Sequence, residues 1–580
     1  MKRSNLIARC ICWLVIMAGA AIFAPSGFGA GHEITIVDQN GRIVPNAPRT
    51  ATGQIFDVMV GPNNTFTFSP STVTISVGDT VRWTWGSSHH SVTSGDSTTC
   101  TADGQFCSPN NTNCSTCVTS NTGAVYEFTF TTAGTFSYHC CVHCALGMIG
   151  TVNVQSGSAT WLASPATGDW NTPANWTAGG PPNGPADTAT FASSSIIGVS
   201  ISSNTQVNGI VFNSGASAFT ITANPALTLT ISGVGITNNS GMTQNFVAAD
   251  QASNFGTITF TNSATAGSLT TFTNNGSTVS GGSGGSTGFD DNATAANATL
   301  IANGGTSGGL GGLISFIGSS TGGTARVEVF GNGNLDISEH NAPGVTTGSI
   351  EGSGVVFLGA DNLTVGGNNL SKTFSGKIQD GGLGGGTGGS LTKTGTGKLT
   401  LSKASTYTGS TTISRGTLLV TNRTGSATGT GTVQVNTGTL SGTGIMTGAV
   451  TVGTGTSSGA IVSPGNSATA PGILTSNSAL TFNSRSTYKC ILNRSTPTAG
   501  EITARGVTIN SGASFSFVDV GTGTLTVGTV FTVINNTSAN PISGTFRNLA
   551  DGSVFTSNGN NFQASYEGGT GNDLTLTVVP

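Results

Sequence analysis

The sequence predicts an all-β protein: a β-sandwich followed by a parallel β-helix, or solenoid. Three observations carry this. Runs such as Thr72-Val73-Thr74-Ile75-Ser76-Val77 and Tyr126-Glu127-Phe128-Thr129-Phe130 alternate polar and apolar side chains with the period of a strand. Near Gln155-Ser156-Gly157-Ser158 the composition shifts to many short Val/Ile/Leu/Thr runs broken by Gly and Asn. Examples are Phe219-Thr220-Ile221-Thr222, Leu227-Thr228-Leu229-Thr230-Ile231 and Ile258-Thr259-Phe260. Finally, 36% of the 580 residues are hydrophobic and only 7% are charged. That balance suits inward aliphatic stacks and outward Thr, Ser and Asn ladders better than it suits a disordered polar chain. Short units of this kind cannot bury a face alone, whereas stacking them builds a continuous core.

Taken in order, the chain begins with a stretch that reads as a secretory signal, residues 1–30. Lys2 and Arg3 supply the positive region, Ile11 to Ala24 the apolar core, and small residues follow, with cleavage expected near Gly29 to Gly31. The core is short for a membrane span. Cys10 and Cys12 leave with the signal. The expected location is exported: periplasmic, cell-surface or extracellular. Residues 31–52 read as a connector. Residues 53–155 then carry the sandwich, with Gly78-Asp79 marking a turn between strands.

One loop of that sandwich concentrates soft metal donors. Cys140-Cys141-Val142-His143-Cys144-Ala145-Leu146-Gly147-Met148 places a thiolate, an imidazole and a thioether between two strand-like runs, Gly134–His139 and Gly150–Val154. A thiolate with imidazole nitrogens and a weak thioether is the donor set of a blue-copper electron-transfer site. Such a site needs a second histidine, and Val81-Arg82-Trp83-Thr84-Trp85-Gly86-Ser87-Ser88-His89-His90-Ser91-Val92-Thr93 offers two candidates.

With these residues in view, the stretch from about Gln54 to Val154 resembles a plastocyanin-like cupredoxin, a Greek-key β-sandwich. The shared features are the spacing Cys-x2-His-x4-Met and a histidine followed by Ser-Val-Thr after a Trp-containing strand. The resemblance implies one type 1 copper held by His90, Cys140, His143 and Met148. His90 is preferred to His89 because Ser-Val-Thr comes directly after it. Ser91 is expected to support the site through a hydrogen bond. His139 is expected to face away from the metal, because it precedes Cys140 on a strand.

Rival metal centres fare worse on counting. Cys114-x2-Cys117 and Cys141-x2-Cys144 imitate a zinc ribbon. That frame interleaves with the copper frame, and an exported chain favours disulfides. A binuclear copper centre needs a histidine where Met148 stands. A multicopper oxidase needs more imidazoles than the 6 histidines here: His32, His89, His90, His139, His143 and His340. The pair His139-Cys140 is shared with copper nitrite reductases, whose Cys-to-His spacing is longer. Cys100, Cys107, Cys114, Cys117, Cys141 and Cys144 can form up to three disulfides of open pairing, stapling the Ser97–Thr122 insertion and reaching towards the metal loop. Cys490 reads as a buried inert thiol.

Residues 156–580 form the solenoid. Leu391-Thr392-Lys393-Thr394-Gly395-Thr396-Gly397-Lys398-Leu399-Thr400-Leu401, continued by Tyr407-Thr408-Gly409 and Gly416-Thr417-Leu418-Leu419-Val420, resembles the passenger-associated repeat of bacterial autotransporters, here at 391–420. The entry segment, with Trp161, Trp170, Asn175-Trp176, Pro181-Pro182 and Asp187 to Phe191, resembles the start of related surface β-helix proteins. The family implies a right-handed parallel β-helix displayed outside the cell. The chain departs from its pattern at Val578-Val579-Pro580, where no membrane barrel or sorting tail follows, so the resemblance does not extend to anchoring.

Two lookalikes are set aside. Gly568-Gly569-Thr570-Gly571-Asn572-Asp573 is a single copy of a calcium-nonapeptide pattern that works in tandem, and reads as a turn. Asp290-Asp291 reads as a solvated loop pair rather than the flanking carboxylates of a glycosidase. No basic patch argues for nucleic acid at a formal net charge of -4. The expected function is therefore one-electron transfer to an unknown redox protein, as a carrier and not an enzyme. The alternative is a surface structural or adhesive protein, in contact with a cell surface or extracellular matrix, whose copper domain sequesters copper or is purely structural.

Overall fold

The computed structural model describes residues 55–155, 157–177, 180–251 and 254–580. The signal and the connector, with Cys10, Cys12 and His32, lie outside the described residues. Among the described residues, helix is confined to short 3₁₀ turns at Pro62–Asn64, Cys144–Leu146 and Pro173–Asn175.

Nine strands build the N-terminal sandwich: β1 (Ile55–Val60), β2 (Phe68–Ser69), β3 (Thr72–Ser76), β4 (Thr80–Trp85), β5 (Thr93–Asp96), β6 (Thr101–Cys107), β7 (Val125–Thr129), β8 (Gly134–His139) and β9 (Ile149–Gln155). One sheet runs β2-β1-β4-β7 and the other β3-β9-β8-β5-β6. Alternation decides which faces meet. On β4, Val81, Trp83 and Trp85 are buried while Thr80, Arg82 and Thr84 are only partly covered. The inward residues join Val58, Val60, Phe106, Tyr138 and Val152 in one apolar cluster that also contains Cys140 and Met148. The metal loop thus grows directly out of the core. On the outer face Arg82 pairs with Glu127 at 2.6 Å across the β4–β7 ladder.

Beyond the sandwich the chain is a β-solenoid of about 18 turns. Its pairing is almost wholly parallel, in a 15-stranded sheet, a 10-stranded sheet and an 8-stranded sheet. Register stacks like on like: Phe260 lies opposite Phe289, and Phe289 opposite Phe316. These three rings stack at 4.9 and 5.0 Å with interplanar angles of 9° and 12°. At the start of the solenoid, Trp161 and Trp170 pack on Trp176, which also meets Phe191 at 5.5 Å. At the other end the pairing turns antiparallel, through Val530–Asn536, Asp573–Val579, Asn560–Gly568 and Val554–Ser557. The Gly568–Asp573 stretch is the tight turn of that hairpin, with Gly569 and Gly571 at positive φ. Asp290-Asp291 comes after the strand Ser286–Phe289 as a loop pair, Asp291 having φ 54°.

Two buried groups show how the solenoid treats polar chemistry. In the repeat segment Lys393 is almost fully buried. Its ammonium donates to the carbonyls of Thr394, Gly395 and Arg415. Burial pushes it down to about 8, against the pull of those carbonyls. The lysine therefore caps carbonyls at a corner of the coil. Cys490 is fully buried, and burial pushes its thiol up to about 12. Because the thiolate is the reactive form, native protein is expected to leave Cys490 unalkylated at about pH 8 while the unfolded chain reacts fully. Mass spectrometry of the Cys490 peptide after iodoacetamide treatment checks this.

Candidate metal centre

The centre is assembled from two loops, one joining β8 to β9 within a sheet and the other crossing from β4 in one sheet to β5 in the other. β8 ends at His139, so Cys140 leaves the strand pointing into the core. The loop it opens is closed by its own backbone. Cys140 N–H donates to the Met148 carbonyl at 3.0 Å, and the His143 carbonyl accepts from Leu146 at 3.0 Å and Met148 at 3.2 Å. Gly147 makes the reversal possible at φ 85°, a left-handed value that costs glycine little. Cys140 and Met148 are both completely buried.

The second loop comes after β4. His89 adopts φ 64° and is exposed, whereas His90 is buried. Trp85 Nε1 donates to the His90 carbonyl at 2.8 Å, and the backbone of His90 bridges Ser120 in the insertion. Burial, then the neighbours His143 and His89, hold the His90 imidazole below its ordinary value. It is therefore neutral at neutral pH, the state in which a ring nitrogen can bind a metal.

The structure brings His90, Cys140 and His143 together, with their donor atoms within 4.8 Å of one another. His90 Nδ1 and His143 Nδ1 are 3.1 Å apart. Cys140 Sγ lies 3.5 Å from His143 Nδ1 and 3.9 Å from His90 Nδ1. Bonds of about 2.0–2.3 Å from one metal, meeting at wide angles, set nitrogen and sulfur donors roughly 3–4 Å apart. The triangle therefore fits one small ion, and soft thiolate with two imidazoles is a donor set suited to copper. Met148 lies in the same buried cluster as Cys140.

The surroundings hold these donors still. Ser91 N–H donates to Cys140 Sγ at 3.4 Å, and Ser91 Oγ accepts from Cys141 N–H at 2.8 Å. Ser91 thus ties the two loops together, as expected. His139 is outside the cluster and buried on its own, with no hydrogen-bond partner at Nδ1. Three disulfides form: Cys100–Cys144, Cys107–Cys114 and Cys117–Cys141. The zinc-ribbon frame is thereby dissolved, since all four of its cysteines are oxidised. Two of the bridges grip the metal loop immediately after Cys140 and immediately after His143.

Sequence reasoning missed three neighbours. Phe66 stacks on the His143 ring at 4.2 Å and 16°. Ser87 and Gly61 lie behind His90. Phe66 and Gly61 reach the site from another segment, and Ser87, three residues before His90, carries no pattern that marks its contact with Gly61.

Residues 57–155 match the family model of copper binding proteins, plastocyanin/azurin family, and residues 391–420 match the passenger-associated-transport-repeat. Copper is the metal of the first family. Similar solved structures include a novel purple cupredoxin from Nitrosopumilus maritimus, at 27% identity, covering 17% of this chain and 98% of that one, with a TM-score of 0.14. The oxidised plastocyanin from Dryopteris crassirhizoma is 21% identical over 17% of this chain and 100% of its own, with a TM-score of 0.14. Native pseudoazurin from Hyphomicrobium denitrificans is 21% identical over 18% and 76%, also with a TM-score of 0.14. No curated protein matches the chain.

Proposed function

We propose that this chain, a cupredoxin domain fused to an autotransporter-like β-solenoid, is an exported one-electron carrier whose copper ligands are His90, Cys140, His143 and Met148. The observation that carries the reading is the donor triangle of two Nδ1 atoms and one Sγ, with sides of 3.1, 3.5 and 3.9 Å. Bound there, copper would supply a Cu(II)/Cu(I) couple.

The protein's own residues do the rest. The core and the two loop-gripping disulfides keep the donors in one geometry, which limits rearrangement between oxidation states. His143 is half-buried, and its ring is covered by Phe66, itself 46% exposed. Val142 and Leu146, in the same loop, are also exposed. His143 with this apolar rim is the route for electrons to a docked protein. With few charges on the chain, apolar contact rather than long-range steering selects that partner. The disulfides and the passenger repeat support export.

Loading the full chain with Cu(II) is expected to give an intense visible thiolate-to-copper band and a type 1 EPR signal, both abolished by Cys140→Ser. A wild-type protein that binds copper without that band would sink the assignment. Reversible one-electron voltammetry is expected of a carrier, whereas a copper-sequestering protein would show no reversible wave.

A further inference from the structure

We propose that Ser87 is a positioning residue that sets the tautomer of His90; the inference rests on the copper reading for its purpose, though not for its geometry. Proton counting carries it. Ser87 Oγ lies 2.6 Å from the Gly61 carbonyl, which can only accept, so the single hydroxyl proton points there. His90 Nε2 lies 3.1 Å from the same Oγ. Having spent its proton on Gly61, Ser87 has only lone pairs to offer, so Nε2 must carry the hydrogen. In a neutral imidazole the other nitrogen is then bare. That nitrogen, Nδ1, faces His143 Nδ1 and Cys140 Sγ. Ser87 therefore turns the donor lone pair of His90 towards the place where a metal would sit.

The backbone is arranged to make this relay. β1 and β4 pair in parallel with Val60 opposite Trp85, and Gly86 N–H continues the contact to the Val60 carbonyl at 2.8 Å. One residue further, the Ser87 side chain replaces the ladder bond by reaching Gly61. Both Ser87 and His90 are buried, so water does not compete for these groups. Gly61 sits at φ 64°, and a Cβ there would lie 2.3 Å from Ser87 Oγ and 2.6 Å from His90 Nε2. Only glycine leaves room for the three groups to meet. An outer partner that fixes the tautomer of a ligating histidine is typically worth about 10–100-fold in metal affinity.

The test uses the full chain labelled with 15N-histidine, copper-free, together with the variants Ser87→Ala, Ser87→Thr and Ser88→Ala. Imidazole 15N shifts are expected to show His90 as the Nε2–H tautomer in wild type and as a mixture in Ser87→Ala. Cu(II) affinity is expected to fall about 10–100-fold in Ser87→Ala and to recover in Ser87→Thr, which keeps the hydroxyl. Ser88→Ala should behave as wild type, because Ser88 Oγ pairs outward with Thr122 at 3.1 Å. An Nδ1–H tautomer in wild type would overturn the proposal without any variant. So would an unchanged tautomer in Ser87→Ala, or an equal effect from Ser88→Ala. If wild type takes up no copper, the tautomer comparison still decides the role of Ser87, and it is the copper reading that fails.

Discussion

Removing the bridge beside the thiolate, as Cys117→Ser/Cys141→Ser, is expected to lower the stability of the copper-free sandwich by about 3 kcal/mol and to weaken copper retention roughly tenfold or more. The stability figure comes from loop closure. The bridge spans 24 residues, and reopening a loop of that size returns about 3 kcal/mol of conformational freedom to the unfolded chain. The effect on copper has a different origin. Cys141 comes directly after Cys140, and its N–H already donates to Ser91. Freeing it allows the thiolate to drift from the two imidazoles. Cys100–Cys144 spans 44 residues and sits beside His143, so its loss should act similarly. Cys107–Cys114 is the control, since it spans only 7 residues within the insertion and touches no donor. Its removal should cost about 2 kcal/mol and leave copper retention near wild type. Urea unfolding of the copper-free protein and the rate of copper loss to a chelator measure the two effects. Equal loss of copper from the control and from Cys117→Ser/Cys141→Ser would show that the bridges do not brace the site.

In the solenoid the largest single effect is expected at Phe289. Phe289→Ala should destabilise the coil by about 3–5 kcal/mol, the usual cost of emptying a large buried site. The ring is completely buried and stacks on both neighbours, so it falls at the upper end of that range. In a stacked array each coil contacts only those above and below it, so the loss should open the solenoid locally around residues 260–316. The copper site should remain as it was, because the sandwich and the solenoid have separate buried clusters. Hydrogen exchange resolved by peptide would show protection lost from the Phe260, Phe289 and Phe316 strands and kept in β8 and β9. Uniform loss across the whole chain would contradict this.

Much of the site was legible because it is local. Cys140, His143 and Met148 belong to one loop, and their spacing survives without any knowledge of packing. His90 was legible from the Ser-Val-Thr directly after it, and the structure separates it from His89 by burial and a left-handed backbone. The period-2 runs predicted the strands of the sandwich, and short apolar runs between glycines predicted the solenoid. There, a parallel register needs only that like residues recur.

Other features were not legible. Roughly 15 pairings are open to six cysteines, and sequence offers no energy difference between them until the insertion is folded against the metal loop. Phe66, Ser87 and Gly61 have no motif. Gly61 meets Ser87 only because β1 and β4 pair in one register, with Val60 opposite Trp85, and Phe66 reaches His143 from the loop after β1. The donor set and the repeating core were thus determined by the sequence itself, since neighbouring residues and short periods carry them. The tautomer of His90, the ring covering His143 and the bridges gripping the loop were decided by the tertiary structure. Each depends on a contact between distant segments, Gly61 with Ser87 in the case of the tautomer, whose register and burial exist only once the sheets have packed.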